Sequence, residues 1–265
     1  MKIGGYHLHM WEEPVLTGDK GSGTIFFSYC NLRCIYCQNY DISINNVGEE
    51  ITVARLADIC LELQNKEATN INLVTPTHYI PLIREALILA KEQGLSIPIV
   101  YNSSGYESVE SLKLLDGLID VYLPDFKYYS RQLERYSNAI DYCNITKKAI
   151  KEMYRQVGEP IYKNDILIKG LIVRHLVLPT YVEDSKKIIT YLYKEYKDNI
   201  IISIMNQYTP IRKLEEKELN RKVTSKEYDE LIDYAYELGI RNCFVQEATS
   251  QSKSFIPKFK GDAII

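Results

Sequence analysis

Six short apolar runs alternate with amphipathic stretches along this chain, and this alternation constrains its fold more than any other feature. The runs are rich in β-branched and aromatic residues, as strands are. They lie at residues 24–29, 70–75, 97–102, 119–126, 166–178 and 200–206, and a shorter run lies at residues 243–247. Strands that alternate with helices form parallel α/β sheets or barrels. The sequence therefore predicts an α/β fold, a partial and open (βα)6 TIM-like barrel.

The stretches between the runs have the periodicity of half-buried helices. Residues 52–66 place four apolar side chains at the i, i+3, i+4, i+7 spacing of one helical face. One of these side chains, Cys60, is therefore expected in the core. Further helices are predicted at residues 80–93, at residues 182–197, and between Thr224, which with Glu227 can form a capping box, and Gly239.

The organisation of the chain indicates one catalytic domain. Its 265 residues are enough for a single large core. No repeat, low-complexity tract or flexible linker divides the sequence. We expect one domain over residues 1–265, with an N-terminal extension at 1–23 and a C-terminal extension at 208–265. The charged segment at 211–222 is expected to be a solvated surface.

Composition and charge limit the classes of partner. Hydrophobic residues make up 46% of the chain and charged residues 25%, which is ordinary for a soluble globular protein. A net charge of −3 gives no support for nucleic-acid binding, which needs clustered Lys and Arg. No apolar run reaches the ~20 residues that span a bilayer, and residues 1–11 lack a signal-peptide core. We expect a cytoplasmic protein without a membrane or nucleic-acid partner.

Three of the six cysteines lie together directly after the first predicted strand. Cys30, Cys34 and Cys37 have the spacing C-x3-C-x2-C, whereas the other three are scattered singly. Three thiolates can bind three irons of a 4Fe-4S cubane and leave the fourth iron open, whereas an electron-transfer cluster normally has four cysteines. Structural zinc is the alternative, but closed zinc sites need four ligands and no Cys or His lies close downstream. The spacing favours a cluster with one open iron.

The residue before the third cysteine, Tyr36, completes a pattern C-x3-C-x-Φ-C in which Φ is aromatic. This pattern resembles the hallmark of the radical S-adenosylmethionine (SAM) superfamily. The resemblance implies that SAM chelates the open iron, that the reduced cluster cleaves SAM, and that the resulting deoxyadenosyl radical takes hydrogen from a substrate. The implied cofactors are a 4Fe-4S cluster, SAM and a monovalent cation. A reductant such as flavodoxin or ferredoxin is the implied partner.

The resemblance runs from about Gly21 to Gln207 and points most to proteins related to pyruvate formate-lyase activating enzyme. The segments that carry it are 21–28, 75–78, 101–106, 123–127 and 174–179, each at or after the end of a predicted strand. Strand ends meet at one mouth of a barrel. Beside the three cysteines, the resemblance implies a cofactor-binding set of Tyr36, Thr75, Thr77, Asn102, Ser103, Ser104, Asp125, Lys127, Arg174 and Gln207.

One part of this set departs from the family pattern, and another part has a purely structural alternative. Thr75 and Thr77 stand where many family members keep a Gly-Gly-Glu motif, so backbone carbonyls are left to bind the methionine ammonium. Residues 102–104, together with Asp125 and Lys127, resemble the family's site for a monovalent cation and the SAM carboxylate. The oxygen ligands among them suit a hard cation. The alternative is that residues 102–105 form a simple strand-to-helix turn.

Four further strand-end residues have open roles. Arg174 can bind a carboxylate of SAM or of substrate, because its guanidinium fork suits planar anions. His175 alternates to the opposite strand face and is expected to be structural. His78 can face substrate or be structural, and Gln207 can bond the adenine edge or stabilise a loop.

Activation of a glycyl radical enzyme is the leading functional hypothesis, with a glycine of that partner protein as the hydrogen donor. Two departures make radical chemistry on a small molecule or short peptide the second hypothesis. Residues 17–23 replace the Asp-Gly-Pro-Gly segment of the activases, and Tyr29 replaces a usual Gly. No Cys-rich insertion follows Gln207, so a second cluster domain is not expected. A third hypothesis, an iron-sulfur carrier or zinc-stabilised module, leaves the polar strand ends unexplained.

Overall fold

A ten-stranded sheet organises residues 1–246, the part of the chain that the computed structural model describes. The strands are β1 Lys2–His9, β2 Ser22–Phe27, β3 Glu49–Glu50, β4 Ile71–Val74, β5 Ile99–Ser103, β6 Val121–Pro124, β7 Ile161–Lys163, β8 Ile166–Leu176, β9 Ile201–Met205 and β10 Cys243–Val245. The helices are α1 Pro14–Thr17, α2 Tyr40–Ser43, α3 Val53–Asn65, α4 Ile80–Glu92, α5 Val109–Lys113, α6 Tyr142–Val157, α7 Val182–Tyr196 and α8 Ser225–Leu238.

Six parallel strands form the centre of this sheet in chain order: β2, β4, β5, β6, β8 and β9. Helices connect each strand to the next, which confirms the predicted partial (βα)6 barrel. β1 runs antiparallel to β2 on one side of the six, and β10 runs parallel to β9 on the other. Parts of both predicted extensions therefore belong to the sheet. Of the run predicted at 243–247, Glu247 lies outside the described residues.

The predicted helices are confirmed at all four places. Thr52 caps α3 by accepting from Arg55 N, and Thr224 and Glu227 form a complete capping box at the start of α8. Cys60 is fully buried in the core, as expected. Three elements were not predicted from the sequence: β1, β7 and the 16-residue helix α6. No helix within residues 1–246 combines the length and the apolar character needed to cross a membrane.

The two faces of the sheet have different neighbours. Successive side chains point to opposite faces of a strand, and one face packs against the helices in the main core. The other face lines the interior of the barrel, where Leu16 of α1 is fully buried. Its neighbours there come from four different strands: Val100, Val121, Leu123, Leu167, Ile172 and Ile201. Val100, Val121, Leu167 and Ile201 lie toward the amino ends of their strands, so α1 forms a floor at this end of the barrel.

Candidate active site

The loop after β2 carries the three clustered cysteines. Tyr29 turns the chain at this point with φ of 70°, a conformation uncommon outside glycine. The loop is then held against a neighbouring segment, because Ile35 N donates to Tyr136 O at 2.8 Å. Two thiols have serine partners in the same region. Cys34 Sγ lies 2.9 Å from Ser137 Oγ, and the Cys37 thiol lies 3.2 Å from the hydroxyl of Ser43.

The donor set of this loop fits an iron-sulfur cubane. All three thiols are free. Burial, and to a smaller extent the nearby Cys34, raises the pKa of Cys30 to about 12, so iron rather than solvent would have to stabilise the thiolates. No three His, Cys, Asp or Glu side chains in residues 1–246 are placed to hold a single metal ion. A cubane does not need three ligands around one ion, because each thiolate binds a different iron.

A cavity of about 410 Å³ lies inside the barrel beneath this loop. It contains much of the predicted site, since its wall includes Cys34, Tyr36, Cys37, Asn102, Asp125, Lys127, Arg174 and Gln207. The predicted residues Cys30, Thr75, Thr77, Ser103 and Ser104 are not among the residues that line it. The structure therefore gathers one part of the predicted set around the cavity and leaves another part behind its wall.

Arg174 is the centre of an ionic network in the cavity. Its Nε donates to Asp125 Oδ1 at 2.9 Å, and its Nη2 donates to Asn102 Oδ1 at 2.5 Å. Lys127 Nζ donates to the other Asp125 oxygen at 2.6 Å. Although burial raises the pKa of Asp125, the Lys127 and Arg174 cations together bring it below its ordinary value. Asp125 is therefore an ionised carboxylate with both oxygens bonded.

Two adjacent glutamates, which the sequence analysis missed, enter the cavity from the floor. Glu12 Oε2 accepts from Arg174 Nη1 at 3.2 Å, and Glu12 Oε1 accepts from Asn102 Nδ2 at 3.3 Å. Glu13 lies close to Ser203, and its buried Oε2 has no hydrogen-bond partner within the described chain. Burial raises the pKa of both glutamates, and the Arg174 guanidinium opposes this rise. The sequence feature that could have pointed to these glutamates is their position as two adjacent acids directly before the apolar helix α1.

The Thr75–Thr77 region makes contacts behind the cavity wall. Thr75 has φ of 60° and its N donates to Asn102 O at 2.8 Å. Thr77 Oγ1 donates to Glu107 Oε1 at 2.8 Å. Burial raises the pKa of Glu107 to about 7. This chain has no glutamate at the position of the family's Gly-Gly-Glu motif. The structure instead places the acid Glu107 beside that position.

Ser103 and Ser104 stabilise the turn after β5. Gly105 N donates to Ser103 Oγ at 3.3 Å, and Tyr106 N donates to Ser104 Oγ at 3.4 Å. These contacts fit the alternative of a strand-to-helix turn. The role of both serines as cofactor ligands remains a prediction.

The two histidines and Gln207 bond to the protein itself. Both ring nitrogens of buried His175 are bonded, one to Phe126 O at 2.8 Å and the other to Ser185 Oγ at 2.7 Å, which matches the structural role expected. His78 Nε2 lies 2.8 Å from Ser28 O. Gln207 O accepts from Gln38 at 3.2 Å, and this bond ties the segment after β9 to the cysteine loop.

An open parallel barrel with three thiols above a charged cavity defines a class of cofactor-dependent barrel enzymes. The comparison with protein families gives the class its name. A family model described as the radical SAM superfamily matches residues 24–206, which is more than half of the chain. The chain belongs to the radical SAM superfamily.

Relatives and solved structures extend this comparison. An uncharacterized protein of Methanocaldococcus jannaschii, MJ0674, is 34% identical over 243 residues, which cover 86% of this chain and 65% of that protein. Streptococcus suis SuiB bound to the precursor peptide SuiA has a TM-score of 0.57 at 12% identity, over 83% of this chain and 47% of that chain. Methylornithine synthase PylB has a TM-score of 0.52 at 15% identity, over 84% and 70%. At these identities the solved structures show the fold alone.

Proposed function

We propose that this chain cleaves SAM reductively and uses the deoxyadenosyl radical to abstract hydrogen from a substrate held in the barrel. The observation that carries this proposal is that Cys34 and Cys37 face the same cavity as the network around Arg174. When bound, the cluster supplies the electron that splits SAM into methionine and the radical. The chain positions SAM and substrate and keeps water out of the cavity.

The residues of the cavity suggest a division of labour. Cys30, Cys34 and Cys37 hold the cluster. Arg174 and Lys127 present cationic donors to the SAM carboxylate, as charge-assisted hydrogen bonds require. Both oxygens of Asp125 are already bonded to these two cations. A monovalent cation would have to displace Lys127 or Arg174 from Asp125, so the proposed function does not include such a cation.

The floor of the cavity favours the second of the two substrate hypotheses. Activation of a glycyl radical enzyme would bring a peptide backbone into the barrel, and a glycine offers only neutral groups. The buried Oε2 of Glu13 has no hydrogen-bond partner within residues 1–246, so the cavity suits a polar ligand that is small enough to reach it. We therefore propose a small molecule or a short peptide as substrate, with glycyl radical activation as the competing candidate.

The surface around the cysteine loop offers a place for the reductant. Arg33, Arg135 and Arg212 are exposed there, and Arg212 Nη2 donates to the Ile35 carbonyl of the loop at 2.8 Å. Exposed cations beside the cluster would attract a donor with an acidic surface and speed its encounter. We propose a flavodoxin or ferredoxin as this donor.

The test is SAM cleavage by the reconstituted chain. The protein is loaded with iron and sulfide under anaerobic conditions, reduced with dithionite and mixed with SAM, and deoxyadenosine and methionine are quantified by mass spectrometry. The proposal predicts both products in equal amounts, only in the presence of reductant. A colourless protein that retains zinc and forms no deoxyadenosine would contradict it.

The same samples distinguish the two kinds of substrate. A glycyl radical signal in electron paramagnetic resonance, on a partner protein and dependent on SAM, would support activation of that partner. Deoxyadenosine formation stimulated by a small molecule or short peptide, with substrate hydrogen recovered in the deoxyadenosine, would support our proposal.

A further inference from the structure

A chain of hydrogen-bonded hydroxyl groups leads from the wall of the cavity to a cysteine of the loop. The hydroxyl of Tyr36, which lines the cavity, lies 2.5 Å from the hydroxyl of Tyr128. The Tyr128 hydroxyl also lies 2.7 Å from Ser137 Oγ, and Ser137 Oγ lies 2.9 Å from Cys34 Sγ. We call these four side chains the hydroxyl relay. It connects an aromatic ring of the cavity to one of the proposed cluster ligands.

The hydroxyl relay is shielded from water. Tyr128 and Ser137 are fully buried, and Tyr36 is buried as well. A hydrogen bond in the interior of a protein is electrostatically stronger than in water, and consecutive bonds in a chain polarise one another. A change at the Tyr36 end can therefore alter the bond to the sulfur, although two further hydroxyl groups lie between them.

The thiolate at the end of the hydroxyl relay fixes the direction of every bond in it. A cysteine binds iron as the thiolate, which has no proton to donate, so Ser137 donates to Cys34. The Ser137 oxygen then accepts from Tyr128, and the Tyr128 oxygen accepts from Tyr36, because a hydroxyl group has only one proton. All three hydroxyl groups thus donate toward the sulfur. Tyr128 is the link between the cavity side and the cysteine side.

Backbone bonds hold Ser137 beside the cysteine loop independently of the Tyr128 hydroxyl. Arg33 N donates to Ser137 O at 3.0 Å, and Ile35 N donates to Tyr136 O at 2.8 Å. These two bonds lie on either side of the ligating cysteine in the chain. Loss of the Tyr128 hydroxyl should therefore leave Ser137 in place and change only the strength with which it donates to the sulfur.

We propose that Tyr128 is a positioning residue that couples the cavity wall at Tyr36 to the cluster ligand Cys34. This inference rests on the proposed function and adds a residue that acts on the reduction of the cluster through others. Hydrogen bonds to cluster sulfurs stabilise the reduced, more negative state. Each hydroxyl of the relay makes the next one a stronger donor, so the intact relay favours the reduction that SAM cleavage requires.

A double-mutant cycle on the midpoint potential of the reconstituted full chain tests this inference. Tyr128→Phe and Tyr36→Phe keep the rings and remove one hydroxyl each, and both are also made in a Ser137→Ala background. Redox titration is followed by electron paramagnetic resonance. With Ser137 present, we expect each variant to lower the potential, by about twofold in the equilibrium constant for reduction. In the Ser137→Ala background neither should change it further, because the path to the sulfur is already interrupted.

Tyr208→Phe is the matched control. Tyr208 is buried, and its ring packs edge-on against that of Tyr36 with the centroids 5.9 Å apart. Its hydroxyl, however, donates to Leu219 O at 2.7 Å and has no part in the hydroxyl relay. Its loss should leave the potential unchanged, and a shift equal to that of Tyr36→Phe would overturn the inference. If Tyr128→Phe does not fold, Tyr36→Phe completes the cycle alone.

Two further outcomes would overturn the inference. Equal shifts with and without Ser137 would mean that the tyrosine hydroxyls act on the cluster by another path, and an unchanged potential in both tyrosine variants would mean that they serve packing alone. Deoxyadenosine formation is measured in the same preparations. A coupled potential without SAM cleavage would support the hydroxyl relay and overturn the proposed function, whereas SAM cleavage without a coupled potential would do the reverse.

Discussion

The mouth and the floor of the barrel satisfy their polar groups in different ways. At the mouth, both oxygens of Asp125 are bonded to cations, and the thiols of Cys34 and Cys37 have serine partners. At the floor, the buried Oε2 of Glu13 has no hydrogen-bond partner within the described chain. A group that is already bonded is held in place before any ligand arrives. The mouth is thus preorganised, whereas the floor keeps an acceptor that is not yet bonded.

The largest expected effect breaks the mouth. Cys34→Ala leaves two thiolates for three irons, so we expect loss of the cluster and of SAM cleavage together. Iron and sulfide content, visible absorption and deoxyadenosine yield measure both losses. Cys60→Ala is the matched control, because Cys60 is buried in the core away from the loop, and it should cost on the order of 1 kcal/mol of stability without loss of the cluster. The reverse result would refute the ligand assignment.

The second prediction removes the residue that joins the two ends. Arg174→Met leaves the carboxylates of Glu12 and Asp125 buried without their shared cation. We expect the free energy of unfolding to fall by about 3–5 kcal/mol, measured by urea denaturation. Lys20→Met is the control, because Lys20 pairs with Glu67 at the surface with side chains 59% and 74% exposed, and it should cost at most about 1 kcal/mol. Equal losses in the two variants would contradict the buried network.

The third prediction concerns a buried acid behind the mouth. Burial raises the pKa of Glu107 from 4.5 to about 7, so the folded state holds this proton more tightly than the unfolded state does. Stability should therefore fall as pH rises from about 4.5 to 7, by on the order of 3 kcal/mol, and stay level above it. Glu107→Gln should lack this decline in urea denaturation at pH 5 and pH 8. The exposed control Glu110→Gln should retain it, and a decline of equal size in both variants would assign it to another group.

The smallest expected effect is a change in the midpoint potential of the cluster while the cluster itself is retained. Ser137 Oγ lies 2.9 Å from Cys34 Sγ and 2.7 Å from Tyr128 OH. Hydrogen bonds to cluster sulfurs stabilise the reduced, more negative state. Ser137→Ala should lower the midpoint potential of the cluster, as followed by redox titration with electron paramagnetic resonance, while iron content stays unchanged. An unchanged potential would mean that Ser137 only packs against the loop.

The residues at the mouth could be predicted from the sequence because the carboxyl ends of parallel strands lie at the same end of a barrel. Asn102, Asp125 and Arg174 are far apart in the chain, yet each lies at the carboxyl end of a parallel strand, and such ends converge. Ser103 shows where this reasoning needs the alternation of side chains, because it follows inward-facing Asn102 and so points behind the wall. The alternation of side chains along β5 would have assigned Asn102 to the inner face and Ser103 to the outer face.

The floor could not be predicted in the same way. Charged residues are seldom buried, so Glu12 and Glu13 gave no sign of an interior position. Glu12 turns inward, with its side chain 10% exposed, because it pairs with Arg174, which is 162 residues away, and no local pattern encodes such a partner. β1 was missed for a related reason, since its mixed polar sequence becomes a strand by pairing with β2.

The packing of α1 also sets an order of assembly. Leu16 is synthesised early, but its neighbours in the interior come from β5, β6, β8 and β9. Contacts this distant in sequence form late in folding, after the intervening chain has been ordered. We therefore expect the segment that carries Glu12 and Glu13 to dock against the barrel only after β9 has been synthesised.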